Sequence, residues 1–143
     1  LSGPHQTAIV SACLLGVPCR HDGRDKRHEG TLAALSARGL SIVPVCPEVA
    51  GGLPIPRAGA GLEGDRVVDA DGRDVTSEFE RGAQTALDAA RTHGATLAVL
   101  KQNSPSCGSH TIGTRLGRAP GQGRTAAKLR AAGLEVHGEE DAW

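Results

Sequence analysis

The sequence carries no excess of charge: Lys plus Arg number 16 and Asp plus Glu number 16 in 143 residues. No net field draws such a chain onto nucleic acid or an anionic membrane, and a small, neutral or weakly charged ligand suits it better. No apolar run approaches the ~18 residues of a membrane span. The N-terminus also lacks a charged segment followed by a signal-like apolar core. These absences predict a cytoplasmic protein with no membrane contact and no stable nucleic-acid binding; they leave the oligomeric state open. There is no C-x-x-C among the four cysteines, so the paired units of structural zinc sites are missing. In a reducing compartment disulfides are disfavoured as well, which leaves metal binding or catalysis for the thiols. Neither an internal repeat nor a linker interrupts the chain, beyond a few residues expected to be disordered at each end. The length suits one domain over 1–143.

What is present is an alternation of strands and helices. Thr7 to Ala12, Leu40 to Val45, Ala95 to Lys101 and Leu134 to His137 are short apolar, β-branched runs, and the first three each end in a Gly, Pro and Cys-rich stretch, as buried strands feeding loops do. Helices are predicted over Gly30 to Arg38, Thr76 to His93 and Thr125 to Ala132. In the longest, Phe79, Ala83, Ala86, Leu87 and Ala90 recur at helical spacing, Thr76 offers a cap and Gly94 a stop. This order predicts an α/β, three-layer Rossmann-like fold with a mainly parallel sheet. The stretch from Gly51 to Gly72, with a strand at Val67 and Val68 and a turn at Asp71-Gly72, reads as an inserted loop and hairpin.

Cys13, Cys46 and Cys107 each follow the carboxyl end of a predicted strand. In an open parallel sheet those ends share one edge, where ligands bind beside the switch in strand order. Three thiolates meeting there without a fourth ligand resemble a catalytic metal site. Cys19 ranks below them, as an alternative ligand or a neighbour of the ligands. Arg20, Arg57, Arg115 and Arg124 lie in Gly/Pro-rich segments where a guanidinium could bind carboxylate or phosphate.

Longer blocks carry a family signature. Ser11-Ala12-Cys13-Leu14-Leu15-Gly16-Val17-Pro18-Cys19-Arg20, Val45-Cys46-Pro47-Glu48 with Gly51-Gly52-Leu53-Pro54, and Leu100-Lys101 with Ser104-Pro105-Ser106-Cys107-Gly108 resemble the thiouracil desulfidase (TudS-like) family. Gly72 to Thr76 and Gly123 to Ala127 extend the likeness over nearly the whole chain. The resemblance implies a non-redox, hydrolytic desulfuration of thiolated pyrimidines, such as thiouracil, 4-thiouridine or its monophosphate, to the oxo-pyrimidine plus sulfide. It also implies a [4Fe–4S] cluster held by Cys13, Cys46 and Cys107 with one iron open, and Glu48 and Ser104 as the reacting groups. His21 stands where the family often has Tyr, and Ile112 to Gly117 is looser than the usual pattern.

Taken alone, Glu48 reads as the partner of an arginine such as Arg57, Ser104 as a turn residue before Pro105, and Lys101 as a surface or site lysine. Two other functions fit parts of the sequence. The thiols, with Cys19 as a fourth, could form a zinc-binding or sulfur-carrier module without turnover. Gly121-Gln122-Gly123 ahead of a helix could bind the phosphate of a nucleotide in a regulatory domain.

Overall fold

The computed structural model describes residues 6–114 and 116–143. Arg115 and the expected N-terminal disorder over residues 1–5 lie outside the described residues.

Four parallel strands form the first sheet: β1 (Thr7–Ser11), β2 (Ser41–Val45), β5 (Leu97–Leu100) and β8 (Glu135–Gly138), in the order β2-β1-β5-β8. Side chains alternate between the two faces of a strand, and this alternation divides the core. Ala8 and Val10 of β1 and Leu97 and Val99 of β5 pack with Leu35 of helix α1 (Glu29–Ala37). The intervening Ile9, Ala98 and Leu100 pack instead with Leu87 and Ala90 of α3 (Thr76–His93) and with Ala126 and Leu129 of α4 (Arg124–Ala131). The result is the expected three layers. Pro44 lies in β2 at the sheet's edge, where its missing N–H costs no central ladder bond.

The excursion after β2 begins with a single helical turn, α2 (Pro47–Ala50), and then forms the hairpin β3 (Ala60–Glu63) and β4 (Arg66–Asp69). A second hairpin, β6 (Thr111–Thr114) and β7 (Gly117–Pro120), was not foreseen; β6 joins β3 in parallel to make a second sheet ordered β4-β3-β6-β7. Phe79 of α3, fully buried with Val67 and Val75, pins this mixed sheet to the first unit.

Thr76 does not cap α3 as expected. The N-cap residue is Val75, without a side-chain cap. The Thr76 hydroxyl instead accepts the Val67 N–H at 2.8 Å, while Asp74 accepts the Thr76 N–H at 2.9 Å. At the other end Gly94 takes the left-handed conformation and closes the helix, as expected. The C-terminal end is likewise not loose, because Trp143 stacks on His137 with ring centroids 6.1 Å apart and lies under the Arg38 guanidinium at 5.2 Å. Among the described residues no helix is long and apolar enough to cross a membrane.

One contact fixes the orientation of α2. A Cβ on Gly82 of α3 would fall 1.8 Å from the Pro47 carbonyl oxygen, and one on Gly51 would fall 1.9 Å from that of Glu78. Only hydrogen at both positions lets the two helices touch backbone to backbone, and that contact seats the turn bearing Glu48 against α3.

Candidate functional site

Strands β2, β1 and β5 are neighbours, and their carboxyl ends supply one cysteine each. Cys13 lies in a 3-10 turn (Ala12–Leu15) directly after β1, Cys46 is the N-cap of α2 after β2, and Cys107 lies in the loop after β5. β2 and β5 flank β1 on opposite sides, which makes this the switch in strand order where α/β sheets open a crevice. A cleft of about 300 Å³ occupies it, lined by all four cysteines together with Glu48, Arg57, Lys101, Ser104 and Ser106. All four thiols are free. Among the described residues no three His, Cys, Asp or Glu side chains meet the geometry of a single-ion site.

The loop bearing Cys107 is held from two sides. From within, the Ser104 hydroxyl accepts the N–H groups of Ser106 at 3.2 Å and Cys107 at 3.0 Å. From outside, the first amides of α4 reach its carbonyls: Gly123 N–H to Gly108, Arg124 to Pro105, and Thr125 and Ala126 both to Ser106, at 2.8 to 3.3 Å. A helix N-terminus has four such unpaired donors and a partial positive charge, and here the loop consumes them. The Gly121-Gln122-Gly123 turn therefore has no helical amides left for a phosphate. A Cβ on Gly123 would lie 2.4 Å from the Ser106 carbonyl, so glycine is what allows the loop to dock.

Glu48 is clamped by two donors. Arg57 Nε reaches its Oε1 at 3.1 Å and the Ser106 hydroxyl its Oε2 at 3.2 Å. The Arg57 fork also bonds the carbonyls of Pro54 and Cys19, both at 3.0 Å. The ion pair read from sequence as the plain alternative for Glu48 thus exists, inside the cleft that holds the thiols. Cys19 stands between Cys13 and Cys46, hydrogen-bonded to both, and the bond from Cys13 is the main cause that raises its pKa. The Cys46 thiol is raised by its bond to Cys19 and by burial. Burial pushes Cys107 up to about 12, against the lowering bonds of Ser11 and Ser106. Both shifts favour the protonated thiol, so a metal ligated by these two residues would have to displace their protons.

Lys101 lines the cleft with its ammonium tied to Glu139 at 2.8 Å. At the rim, Arg20 pairs with Asp22 at 3.5 Å, whereas Lys26 and Arg118, which also line the cleft, make no ion pair among the described residues. His21 lines it too. Arg124 does not; its guanidinium is held by Glu80 at 2.9 Å and by the Asp65 carbonyl. Two hydroxyls of the site escaped the sequence reading. Ser106 touches Glu48, and Ser11 bonds Cys107 while accepting the Lys101 N–H at 2.9 Å. Both stand in the quoted blocks, but Ser106 between Pro105 and Cys107 looks like an ordinary turn residue, and Ser11 like the plain end of a strand.

Comparison with known proteins agrees with this geometry. The chain is 36% identical over 146 aligned positions to the uncharacterized protein YbbK of Bacillus subtilis (strain 168), covering 93% of this chain and 95% of that protein. Among solved structures it matches the [4Fe–4S]-dependent thiouracil desulfidase TudS with a TM-score of 0.87 and 47% identity, over 94% of this chain and 91% of that one. The family model described as 2-thiouracil desulfurase matches residues 8–141, and the chain accordingly belongs to that family.

Proposed function

We propose that this chain removes sulfur from thiolated pyrimidines, exchanging C=S for C=O with water as the oxygen source and hydrogen sulfide as the second product, with Cys13, Cys46 and Cys107 holding a [4Fe–4S] cluster. The observation that carries the proposal is the meeting of three cysteines from three adjacent strand ends with a clamped carboxylate in one cleft. The donor set fits the group. Cysteine thiolates are the usual protein ligands of such clusters, and all four cysteines here are free to supply them.

When bound, a cluster with one iron not ligated by cysteine supplies a Lewis acid for the thiocarbonyl sulfur. The remaining work falls to the chain. Glu48 takes a proton from the water that attacks the ring carbon and later gives it back. Arg57 keeps the carboxylate oriented, and Ser104 is linked to it through Ser106.

Lys26 and Arg118 supply two cations at the cleft that make no ion pair among the described residues, which suits a substrate with an anionic tail, such as 4-thiouridine monophosphate, alongside the free bases 2-thiouracil and 4-thiouracil. Anaerobic reconstitution with iron and sulfide, followed by assay of sulfide release from these three compounds, tests the proposal. Iron with acid-labile sulfide and turnover supports it. One zinc per chain, no labile sulfide and no turnover favours the carrier reading, in which Cys19 completes the ligand set.

A further inference from the structure

The direction of the hydrogen bonds around Ser106 follows from donor and acceptor counting. A serine hydroxyl has one proton to give and two lone pairs to receive. Both lone pairs of Ser104 are occupied, by the N–H groups of Ser106 and Cys107. Its proton therefore goes to the remaining oxygen in reach, Ser106 Oγ, at 3.0 Å. Ser106 receives that bond and must send its own proton elsewhere. Two acceptors are available, Glu48 Oε2 at 3.2 Å and Cys107 Sγ at 3.7 Å. The carboxylate is nearer and charged, and so takes it.

Ser106 has little freedom to do otherwise. Its side chain is buried at 1% exposure, its N–H is committed to Ser104, and its carbonyl receives both Thr125 and Ala126 of α4. The two serines of the Ser-Pro-Ser-Cys block thus divide their tasks. Ser104 shapes the loop and sets a polarity, and Ser106 carries that polarity across to Glu48, 58 positions away in sequence.

We propose that Ser106 is a positioning residue for Glu48: a one-way donor, oriented by Ser104, that holds Oε2 while Arg57 holds Oε1, so that the carboxylate meets the attacking water in one fixed orientation. This rests on the desulfuration proposed above. Without the Ser106 hydroxyl, Glu48 keeps a single anchor at Oε1 and turns about it. Misplacing a general base in this way lowers the rate of the chemical step more than it weakens substrate binding.

The test uses the reconstituted full chain with Ser106→Ala and Ser106→Thr, with iron content, kcat and KM for the best thiolated substrate, and a crystal structure of Ser106→Ala. The expected results are parental iron content, kcat lowered about 100-fold with KM within about 2-fold, and substantial recovery in Ser106→Thr. In the crystal Glu48 has rotated off its Oε2 position with the Arg57 contact kept. A kcat within about 3-fold of the parent, or a loss that follows iron content in both single variants, overturns the inference. A parent protein that releases no sulfide ends the proposed function instead; the Glu48 orientation then still decides for or against Ser106.

Discussion

Arg57 Nε stands 3.1 Å from Glu48 Oε1, in a pair whose arginine side chain is only 6% exposed. The same guanidinium bonds the Cys19 carbonyl, so one side chain ties the carboxylate of α2 to the loop that follows Cys13. Replacing Arg57 by Ala leaves a carboxylate in the cleft without its countercharge. Breaking a buried pair costs about 3–5 kcal/mol, and chemical denaturation should show a loss of this order together with loss of turnover. Lys in its place should restore little, because a point charge cannot reach Glu48, Pro54 and Cys19 at once. Parental stability in either variant would remove Arg57 from this role.

Gly123 has φ −73°, a value open to any residue, so its requirement is steric rather than conformational. Gly123→Ala should push the Ser106 carbonyl away and displace the Cys107 loop. We expect a stability loss of about 1–3 kcal/mol from the overpacking, and iron retention lower than in the parent after desalting. An alanine variant that keeps its iron would show that α4 does not position the third cysteine.

Much of this was legible in the sequence, for identifiable reasons. Strands β1, β2 and β5 announce themselves by β-branched runs ending at Cys-bearing loops, and α3 by a five-residue apolar stripe closed by Gly94. The β6–β7 hairpin was not legible. Its strands Thr111–Thr114 and Gly117–Pro120 contain two glycines and a proline with one buried aliphatic, Ile112, against the usual composition of strands. Its pairing to β3 is also remote in sequence. The cap of α3 was misread because Thr76 is close to two acceptable positions, and the fold uses its hydroxyl for the Val67 amide. In the site, residue types with one dominant chemistry, Cys and Glu, were read directly. Ser106 and Ser11 were not, since their roles depend on partners in distant segments.

Lys26 and Arg118 provide a separate check on the substrate. If they receive a phosphate, Lys26→Ala and Arg118→Ala should each raise KM for 4-thiouridine monophosphate about 10-fold, the equivalent of about 1.4 kcal/mol, and leave KM for 2-thiouracil unchanged. Equal effects on both compounds would assign the two cations to the cleft's general shape.

Acid should loosen the C-terminal segment through Asp141. Burial raises its pKa, but the Gly138 N–H at 2.8 Å and His110 at 2.7 Å outweigh it, and the net shift is downward. A group whose folded pKa lies below its unfolded value, ordinarily about 3.9, stabilises the fold above that value and ceases to as pH falls through the folded pKa. Melting temperatures from pH 7 to pH 3 should therefore drop below about pH 4 less steeply in Asp141→Asn than in the parent. The contribution is at most about 1 kcal/mol for so exposed a pair.

The central claim is that Cys13, Cys46 and Cys107 together hold the cluster on which sulfur leaves the pyrimidine. Iron and acid-labile sulfide per chain, measured after anaerobic reconstitution alongside sulfide release from 2-thiouracil and 4-thiouracil, test it most directly. The account predicts equal iron and labile sulfide with turnover in the parent, loss of both in Cys13→Ser, Cys46→Ser and Cys107→Ser, and retention in Cys19→Ser. A parent protein that assembles no cluster, or that turns over equally well after any one of those three replacements, would contradict it.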